Sequence, residues 1–141
     1  MNIITLTRQT LLENIEELVE VDRVIKIDKN WRYENFLAEL SGKWNNSYIA
    51  LRENTIAGFI ICSIKDETTL HIHRLAIRRE FQNMGIGTKL VTHVINSTNS
   101  KINRLTLKVT ADNIMAQSFY NRLGFEYKRL EDQKYIYQRL L

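Results

Sequence analysis

A glycine-rich turn constrains this chain more than any other feature of its sequence. The segment Gln82-Asn-Met-Gly-Ile-Gly87 follows an apolar run that ends at Ile77, and it opens an amphipathic stretch. This order predicts a strand, a tight turn and a helix. Glycines let the backbone approach a ligand without an intervening Cβ, and the helix start presents backbone N–H groups and the positive end of the helix dipole. The turn therefore predicts a site for a phosphorylated ligand.

Two common phosphate-binding loops do not fit these residues. A Walker A loop requires G-x-x-x-x-G-K-[ST], but Thr88 separates Gly87 from Lys89 and no glycine stands at the required distance upstream. The dinucleotide fingerprint requires a third glycine, where this chain has Leu90, and an acidic residue about 20 positions later, where the region around Leu105 to Leu107 has no acid. The pattern that remains is Q-x-x-G-x-G after a strand.

Two sequence blocks resemble the signatures of the GNAT N-acetyltransferases. The first, within residues 75–90, is similar to that family's [RQ]-x-x-G-x-[GA] motif, with Arg79 where a proline is common. The second, from Asn113 to Phe125, resembles the family's N-x-x-A-x-x-[FL]-Y-x-x-x-G-F block. The two blocks have the family's order and spacing, and the resemblance is specific from about Leu70 to Phe125.

Apolar periodicity along the chain predicts an α/β protein with a mixed sheet. Strands are expected at residues 3–7, 48–52, 56–64, 68–77, 104–110, 125–130 and 134–140. Helices are expected after a capping box at residues 10–13, at 31–40, at 87–96, and after a cap at Asp112 or Asn113, with Gly124 ending the last one. Hairpins beside strand–helix alternation favour about six to seven strands flanked by about four helices. The resemblance implies the GNAT acyl-CoA N-acyltransferase fold, which is of this kind.

Length and composition indicate one domain over residues 1–141, with a hydrophobic fraction of 44%. No apolar run reaches the roughly 20 residues of a membrane span, and the N-terminus lacks the pattern of a signal peptide, so no membrane is expected. The lone Cys62 cannot form an internal disulfide, which predicts a cytoplasmic protein. It lies in an apolar strand, which predicts a small core residue rather than a nucleophile. The net charge of +4 comes without a basic run, so no nucleic acid is expected. The oligomeric state stays open between monomer and homodimer.

The resemblance implies acetyl-coenzyme A as the acetyl donor. Main-chain N–H groups of the turn would hold its diphosphate, and residues 75–77 would pair with its pantetheine arm like an added strand. Asn113 would hydrogen-bond that arm, and its other interpretation is a helix cap. The cofactor-binding residues expected are Leu75, Ala76, Ile77, Gln82, Asn83, Met84, Gly85, Ile86, Gly87, Thr88, Asn113 and Tyr120.

The reaction implied by the resemblance is direct attack of a neutral amine on the thioester, within a ternary complex. The departing thiolate needs a proton, and Tyr120 stands where the family's tyrosine supplies one. Helical spacing alone would make Tyr120 a core residue beside Phe119.

The base that deprotonates the amine has three candidates: His71, His73 or an ordered water. Histidine has a pKa near 6.5, and the His-x-His pair resembles the arrangement in arylalkylamine acetyltransferases. Because the pair alternates with Ile72, both rings are expected on the strand face that also carries Leu75. The other interpretation is two histidines on an exposed sheet face. Two histidines supply too few ligands for zinc, so no metal is expected. Lys108 stands where some relatives have a glutamate or histidine, a departure from their mechanism.

Acceptor contacts are expected from the N-terminal helices and the last hairpin, at Trp31, Tyr33, Glu34 and Tyr135. A tryptophan at this place resembles the ribosomal-protein alanine acetyltransferases and favours a protein N-terminus, whereas aromatic and acidic groups also suit a small amine. Trp31 can equally be a hydrophobic lid on the core. A non-catalytic module that binds or senses acyl-CoA is the alternative to an enzyme.

Overall fold

The computed structural model describes residues 1–26 and 28–141, which form one seven-stranded mixed sheet with the strand order β1-β2-β3-β4-β5-β7-β6. Neighbouring strands are antiparallel except for the central pair β4 and β5, which is parallel. The strands are β1 (Asn2–Thr5), β2 (Tyr48–Arg52), β3 (Thr55–Asp66), β4 (Thr69–Ile77), β5 (Arg104–Thr110), β6 (Glu126–Glu131) and β7 (Lys134–Leu140).

Five α-helices accompany the sheet within the described residues. They are α1 (Arg8–Asp22), α2 (Tyr33–Leu37), α3 (Lys43–Asn46), α4 (Ile86–Ser97) and α5 (Ile114–Arg122). The predicted mixed sheet is confirmed, and the two strands expected at residues 48–52 and 56–64 form a hairpin whose turn residues, Glu53 and Asn54, adopt positive φ. Over residues 1–26 and 28–141, no helix combines the length and the apolar character needed to cross a membrane.

The helix predicted at residues 31–40 is present but shorter than predicted. Helix α2 ends at Leu37, and Ala38 leaves helical geometry with φ −54° and ψ 131°. The buried Lys43 donates from Nζ to the carbonyls of Phe36 and Ala38, at the end of α2. Burial lowers the pKa of this ammonium to about 8. The side chain of a residue six positions beyond the helix therefore satisfies the last carbonyls of α2, and no local sequence pattern predicts this contact.

The start of α1 also differs from the prediction. The capping residue is Thr7, whose hydroxyl accepts the N–H of Thr10 at 3.1 Å. The predicted capping box at residues 10–13 lies inside the helix. Thr7 and Thr10 each carry a hydroxyl that can cap the start of a helix, so sequence alone could not choose between them.

A β-bulge in the middle of the sheet reverses the alternation of β4. Ile61 pairs with Arg74 but Cys62 pairs with Ile72, so His73 is an extra residue on β4. Before the bulge Ile72 packs into the core beneath α4, and after it Leu75 does so. The prediction that both histidines share a face with Leu75 is therefore wrong. His71 points to the α1 side of the sheet, the side opposite Leu75.

The parallel strands β4 and β5 separate after a short ladder. Their pairs run from Thr69–Arg104 to Ile72–Leu107, although β4 continues to Ile77. Beyond Ile72 the edge of β4 that faces β5 is unpaired within the described residues, and an opening forms between the two strands. This opening, together with the bulge, places the functional groups described next.

Candidate active site

The glycine turn leads from β4 into α4 and holds a left-handed conformation at two residues. Asn83 has φ +64°, and Gly85, the residue that caps α4, has φ +79°. A Cβ built on Gly85 would meet nothing within 4 Å, so this side of the turn is open space. The side chain of Gln82 donates to the carbonyl of Ile77 at 3.0 Å, which ties the turn back to the strand end. The N–H groups at the start of α4 are thus offered to an anion in an open cradle.

A cleft of about 530 Å³ adjoins this turn, and we refer to it as the turn cleft. Its lining combines the end of β4, the glycine turn and one face of α5. Of the cofactor-binding residues expected from sequence, it contains Leu75, Ala76, Ile77, Gln82, Asn83, Gly85, Ile86, Gly87, Thr88 and Tyr120. The size and the main-chain donors fit a long phosphorylated ligand.

Two of the expected cofactor residues lie outside the turn cleft. Met84 is 46% exposed and contacts Arg52 through its sulfur. Asn113 caps α5, because its side chain accepts the N–H of Ala116 at 3.1 Å. It borders the opening between the strands instead.

That opening holds a small cavity of about 130 Å³, which we call the strand cavity. It shares Leu75 and Tyr120 with the turn cleft. It shares His73 and Lys108 with a third space on the other side of the sheet. The separation of β4 and β5 therefore connects two clefts through the sheet.

Tyr120 stands at this connection. Its ring packs edge-on against Phe119 and Phe125, with centroids 5.0 Å and 5.4 Å away, and the residue is 8% exposed. Burial raises the pKa of its phenol above the usual value. Tyr120 is thus both a core residue and a lining residue of both cavities, and it carries its proton at neutral pH.

The third space is a cleft of about 680 Å³ on the α1 side of the sheet, which we call the histidine cleft. The rings of His71 and His73 lie at its floor with their centroids 4.8 Å apart. Nδ1 of His71 lies 2.8 Å from the hydroxyl of Thr106, and Nε2 of His73 lies 2.6 Å from that of Ser63. Each ring is thereby oriented by one hydroxyl group.

Both histidines are neutral at neutral pH. Burial, followed by the neighbouring His73, lowers the pKa of His71 to about 3. Burial and the nearby Lys65 lower the pKa of His73 to about 4. The sequence predicts a histidine base that titrates near its usual pKa, and these two environments do not provide one.

The expected acceptor residues separate into two groups. Trp31 and Glu34 line the histidine cleft, and Tyr33 lines an adjoining hollow with them. Trp31 also packs on the core, edge-on to Phe36 at 5.1 Å. Tyr135 packs instead against Tyr127 with centroids 5.1 Å apart, and the structure does not bring it into either space.

A buried ion pair that the sequence analysis missed supports the wall of the histidine cleft. Arg74 donates to both carboxylate oxygens of Asp22 at 2.6 Å and 2.9 Å, and Asp22 is fully buried. Asp22 also accepts the main-chain N–H of Trp31 at 2.7 Å, and Arg74 donates to the carbonyl of Lys29. The guanidinium lies 5.6 Å from the ring of Trp31. The sequence signal that could have revealed this pair is one acidic and one basic residue at core-facing positions, Asp22 at the end of α1 and Arg74 in β4.

The remaining candidates take minor positions. Lys108 lies 3.7 Å from Glu131 and borders the strand cavity. Cys62 is fully buried in β3, and burial raises the pKa of its thiol, in agreement with a small core residue. Over the described ranges, no three His, Cys, Asp or Glu side chains gather as metal ligands would.

Comparison with known proteins identifies the family. A family model described as "Acetyltransferase (GNAT) family" matches residues 12–125. This chain belongs to the GNAT acetyltransferase family.

Its relatives carry out N-acetylation of different acceptors. The chain is 31% identical over 122 residues to the "5-NmdU N-acetyltransferase" of Pseudomonas phage PaMx11, covering 84% of each protein. It is 33% identical over 119 residues to the "[Ribosomal protein bS18]-alanine N-acetyltransferase" of Haemophilus ducreyi, covering 79% of this chain and 81% of that protein. The structure of the PaiA N-acetyltransferase of Thermoplasma acidophilum with coenzyme A matches 99% of this chain and 98% of its own, with a TM-score of 0.75 and 20% identity. The GNAT protein described here is therefore an N-acetyltransferase, and acetyl-CoA is its acetyl donor.

Proposed function

We propose that this GNAT protein transfers the acetyl group directly from acetyl-CoA to a primary amine, with the donor in the turn cleft and the acceptor in the histidine cleft. The observation that carries the proposal is the strand cavity, which joins the two clefts and has Tyr120 at its border. Two substrates bound on opposite sides of the sheet would meet only there. A direct transfer in a ternary complex follows from this arrangement.

Main-chain groups would hold the donor. The start of α4 supplies N–H groups for the diphosphate, and the open edge of β4 at residues 75–77 supplies hydrogen bonds for the amides of the pantetheine arm. When bound, acetyl-CoA supplies an activated acetyl thioester. Gly85 leaves room for the phosphates because a Cβ there would project into the open space of the cradle.

The transfer forms a bond between the amine nitrogen and the acetyl carbon and breaks the bond between that carbon and sulfur. One proton leaves the amine and one ends on the sulfur. Tyr120 holds its proton at neutral pH, because burial raises its pKa, and we assign it as the donor of the second proton. Its place beside the strand cavity brings the phenol to the reacting groups.

We assign His71 and His73 the role of neutral hydrogen-bond acceptors for the incoming amine. A ring with a pKa of about 3 or about 4 is a poor base toward an alkylammonium ion. The amine therefore reacts from its own neutral fraction, and water carries away its proton. Where Nδ1 of His71 donates to Thr106, Nε2 is free to accept the amine N–H.

The acceptor is either a protein N-terminal amine or a smaller amine, and Trp31, Tyr33 and Glu34 are the proposed contacts. The relatives' names support both classes, because one acts on a ribosomal-protein alanine and another on 5-NmdU. The lone, buried and unpaired Cys62 supports a reducing, cytoplasmic location.

The deciding experiment measures thiol release from acetyl-CoA with a panel of peptides of varied N-termini, polyamines and arylalkylamines. We expect saturable turnover with at least one class, and loss of most of that turnover in Tyr120→Phe. Saturable binding of acetyl-CoA with no turnover on any amine would identify a sensing module instead of an enzyme.

A further inference from the structure

The fold gathers basic side chains around the histidine cleft although the sequence contains no basic run. Two further hollows adjoin this cleft. One shares His71 and Lys108 with it, and the other shares Lys29 and Arg32. The three spaces form one continuous surface, which we call the basic strip.

The charge of the basic strip exceeds that of the whole protein. Its lining contains ten Lys or Arg side chains besides Arg74, which the buried Asp22 neutralises, and four Asp or Glu side chains. The surplus is six positive charges, against +4 for the complete chain, so the rest of the molecule is net negative. The basic residues are Arg23, Lys26, Lys29, Arg32, Lys65, Arg104, Lys108, Lys128, Arg129 and Lys134.

Most of this charge is available to a ligand. Six of the ten basic residues make no ion pair with any residue that the structure describes, and all six are exposed. These six are Arg23, Lys26, Lys29, Arg32, Lys65 and Lys128. They come from the segment between α1 and α2, from β3 and from β6, and only the fold makes them neighbours.

Aromatic side chains lie among these charges. Tyr33 is 46% exposed and lines the same hollow as Trp31, Arg32 and Lys29. An exposed aromatic ring beside arginine and lysine suits an unstacked nucleobase on an anionic backbone. An acidic peptide would use the charges but not the rings.

We infer that the acceptor amine is carried by a single-stranded nucleic acid, as a primary aminoalkyl group on a base that enters the histidine cleft while the backbone lies along the basic strip. This inference rests on the proposed function of the histidine cleft as the acceptor side. An aliphatic amine is nucleophilic enough to attack a thioester, whereas the exocyclic amino groups of ordinary bases are not. A polycationic amine would be repelled by the strip.

The test uses a fluorescent DNA single strand of about 12 nucleotides that carries one primary aminoalkyl group on an internal base. Fluorescence anisotropy measures its binding, and thiol release measures its acetylation, between about 50 and 200 mM salt. The comparison substrates are the free aminoalkyl nucleoside, an acidic peptide and a neutral peptide. We expect the strand to exceed the free nucleoside in kcat/KM by at least about 10²-fold at low salt, and to lose that advantage as salt rises.

Single variants locate the surface. Lys29→Gln and Lys128→Gln should each reduce the slope of log affinity against log salt by about 0.7, the contribution of one phosphate of a single strand. Lys101→Gln, an exposed lysine outside the strip, removes the same charge and should leave the slope unchanged.

Each result has a definite meaning. Salt-independent binding, equal effects of the Lys29 and Lys101 variants, or a preference for either peptide overturns the inference, whether or not the strand is acetylated. If the strand binds as expected but no amine is ever acetylated, the proposed function fails and the binding surface stands.

Discussion

The phenol of Tyr120 lies in an environment that keeps it protonated at neutral pH. Edge-on packing with Phe119 and Phe125 fixes the ring, and burial raises its pKa. The neighbouring histidines are neutral and cannot readily protonate a thiolate that forms in the strand cavity. The residue therefore combines a structural role with the proton-donor role proposed for it.

Tyr120→Phe should keep the packing and remove the proton. We expect kcat to fall by about 10²-fold, the usual effect of losing a general acid, while the Kd for coenzyme A measured by calorimetry stays the same. Tyr127→Phe is the matched control, because Tyr127 is 53% exposed on β6. An unchanged kcat in Tyr120→Phe would leave Tyr120 with a packing role alone.

The depressed histidine pKa values make a prediction about the pH–rate profile. Because His71 and His73 have pKa values of about 3 and about 4, neither loses a proton between pH 5.5 and 8. The ascending limb of kcat/KM should follow the acceptor instead. Acceptors with an α-amino group and with an alkylamine, whose pKa values differ by about 2 to 3 units, should shift the limb by that amount.

A different outcome would assign the base to a histidine. If the limb stayed near pH 6.5 for both acceptors and vanished in His71→Ala, the ring would titrate in the working enzyme, contrary to its pKa in this structure.

At the scale of elements, the sequence predicted the turns and caps that depend on neighbouring residues. The strand–turn–helix around Gly85, the cap at Asn113 and the left-handed Gly124 all agree with their predicted positions. The end of α2 depends on Lys43, and the faces of β4 depend on a bulge opposite Ile61 and Cys62. Both features are set by partners distant in sequence, which periodicity does not reveal.

Gly85→Ala tests the turn as an element that binds through its backbone. The φ of +79° should cost about 1–2 kcal/mol of stability with any Cβ, and the methyl would enter the cradle. We expect the Kd for acetyl-CoA to rise at least about tenfold. Gly124→Ala is the control, since φ is +88° there and the nearest side-chain atom would lie 3.5 Å from the Cβ. It should show a similar loss of stability with unchanged cofactor affinity, and a loss of affinity in both variants would contradict a specific role for the turn.

Asp22→Asn tests the ion pair that joins α1 to β4. The change leaves Arg74 buried without its counter-charge, which should lower the free energy of unfolding by about 3–5 kcal/mol in urea titrations. Because Asp22 also holds the N–H of Trp31, the KM for the acceptor should rise more than the KM for acetyl-CoA. Arg8→Gln breaks the exposed pair with Glu39 and should cost no more than about 1 kcal/mol. Equal increases in the two KM values would show that the pair stabilises the fold without positioning the acceptor wall.

At the scale of the molecule, the sheet separates the turn cleft from the histidine cleft, proposed for donor and acceptor, and opens between them at the strand cavity. Sequence motifs indicated the β4 and glycine-turn part of the turn cleft, because those residues belong to one continuous segment, but not Ala116, Phe119 and the other residues that α5 contributes besides Tyr120. The histidine cleft draws on the loop around Trp31, on β4 and on Lys134 of β7. Its charge was invisible in the sequence because single lysines and arginines from separate segments become neighbours only in the folded chain.

The same burial that keeps the histidines neutral should make the whole protein sensitive to mild acid. A pKa of about 3 or about 4 in the folded state, against about 6.5 in the unfolded chain, means that the unfolded chain binds more protons below pH 6.5. Stability from these groups is present above that pH and is lost as the pH falls toward the folded values. Between pH 7 and pH 5 we expect the free energy of unfolding to drop by about 2 to 3 kcal/mol for the pair, less than full linkage because solvent still reaches part of the rings. Urea titrations of the protein and of a His71→Asn/His73→Gln variant would measure it. The variant should lose most of this pH dependence, whereas His93→Gln, at the contact with Tyr48 on the α4 side of the sheet, should retain it. An equally steep loss of stability in the double variant would mean that other groups govern the acid response.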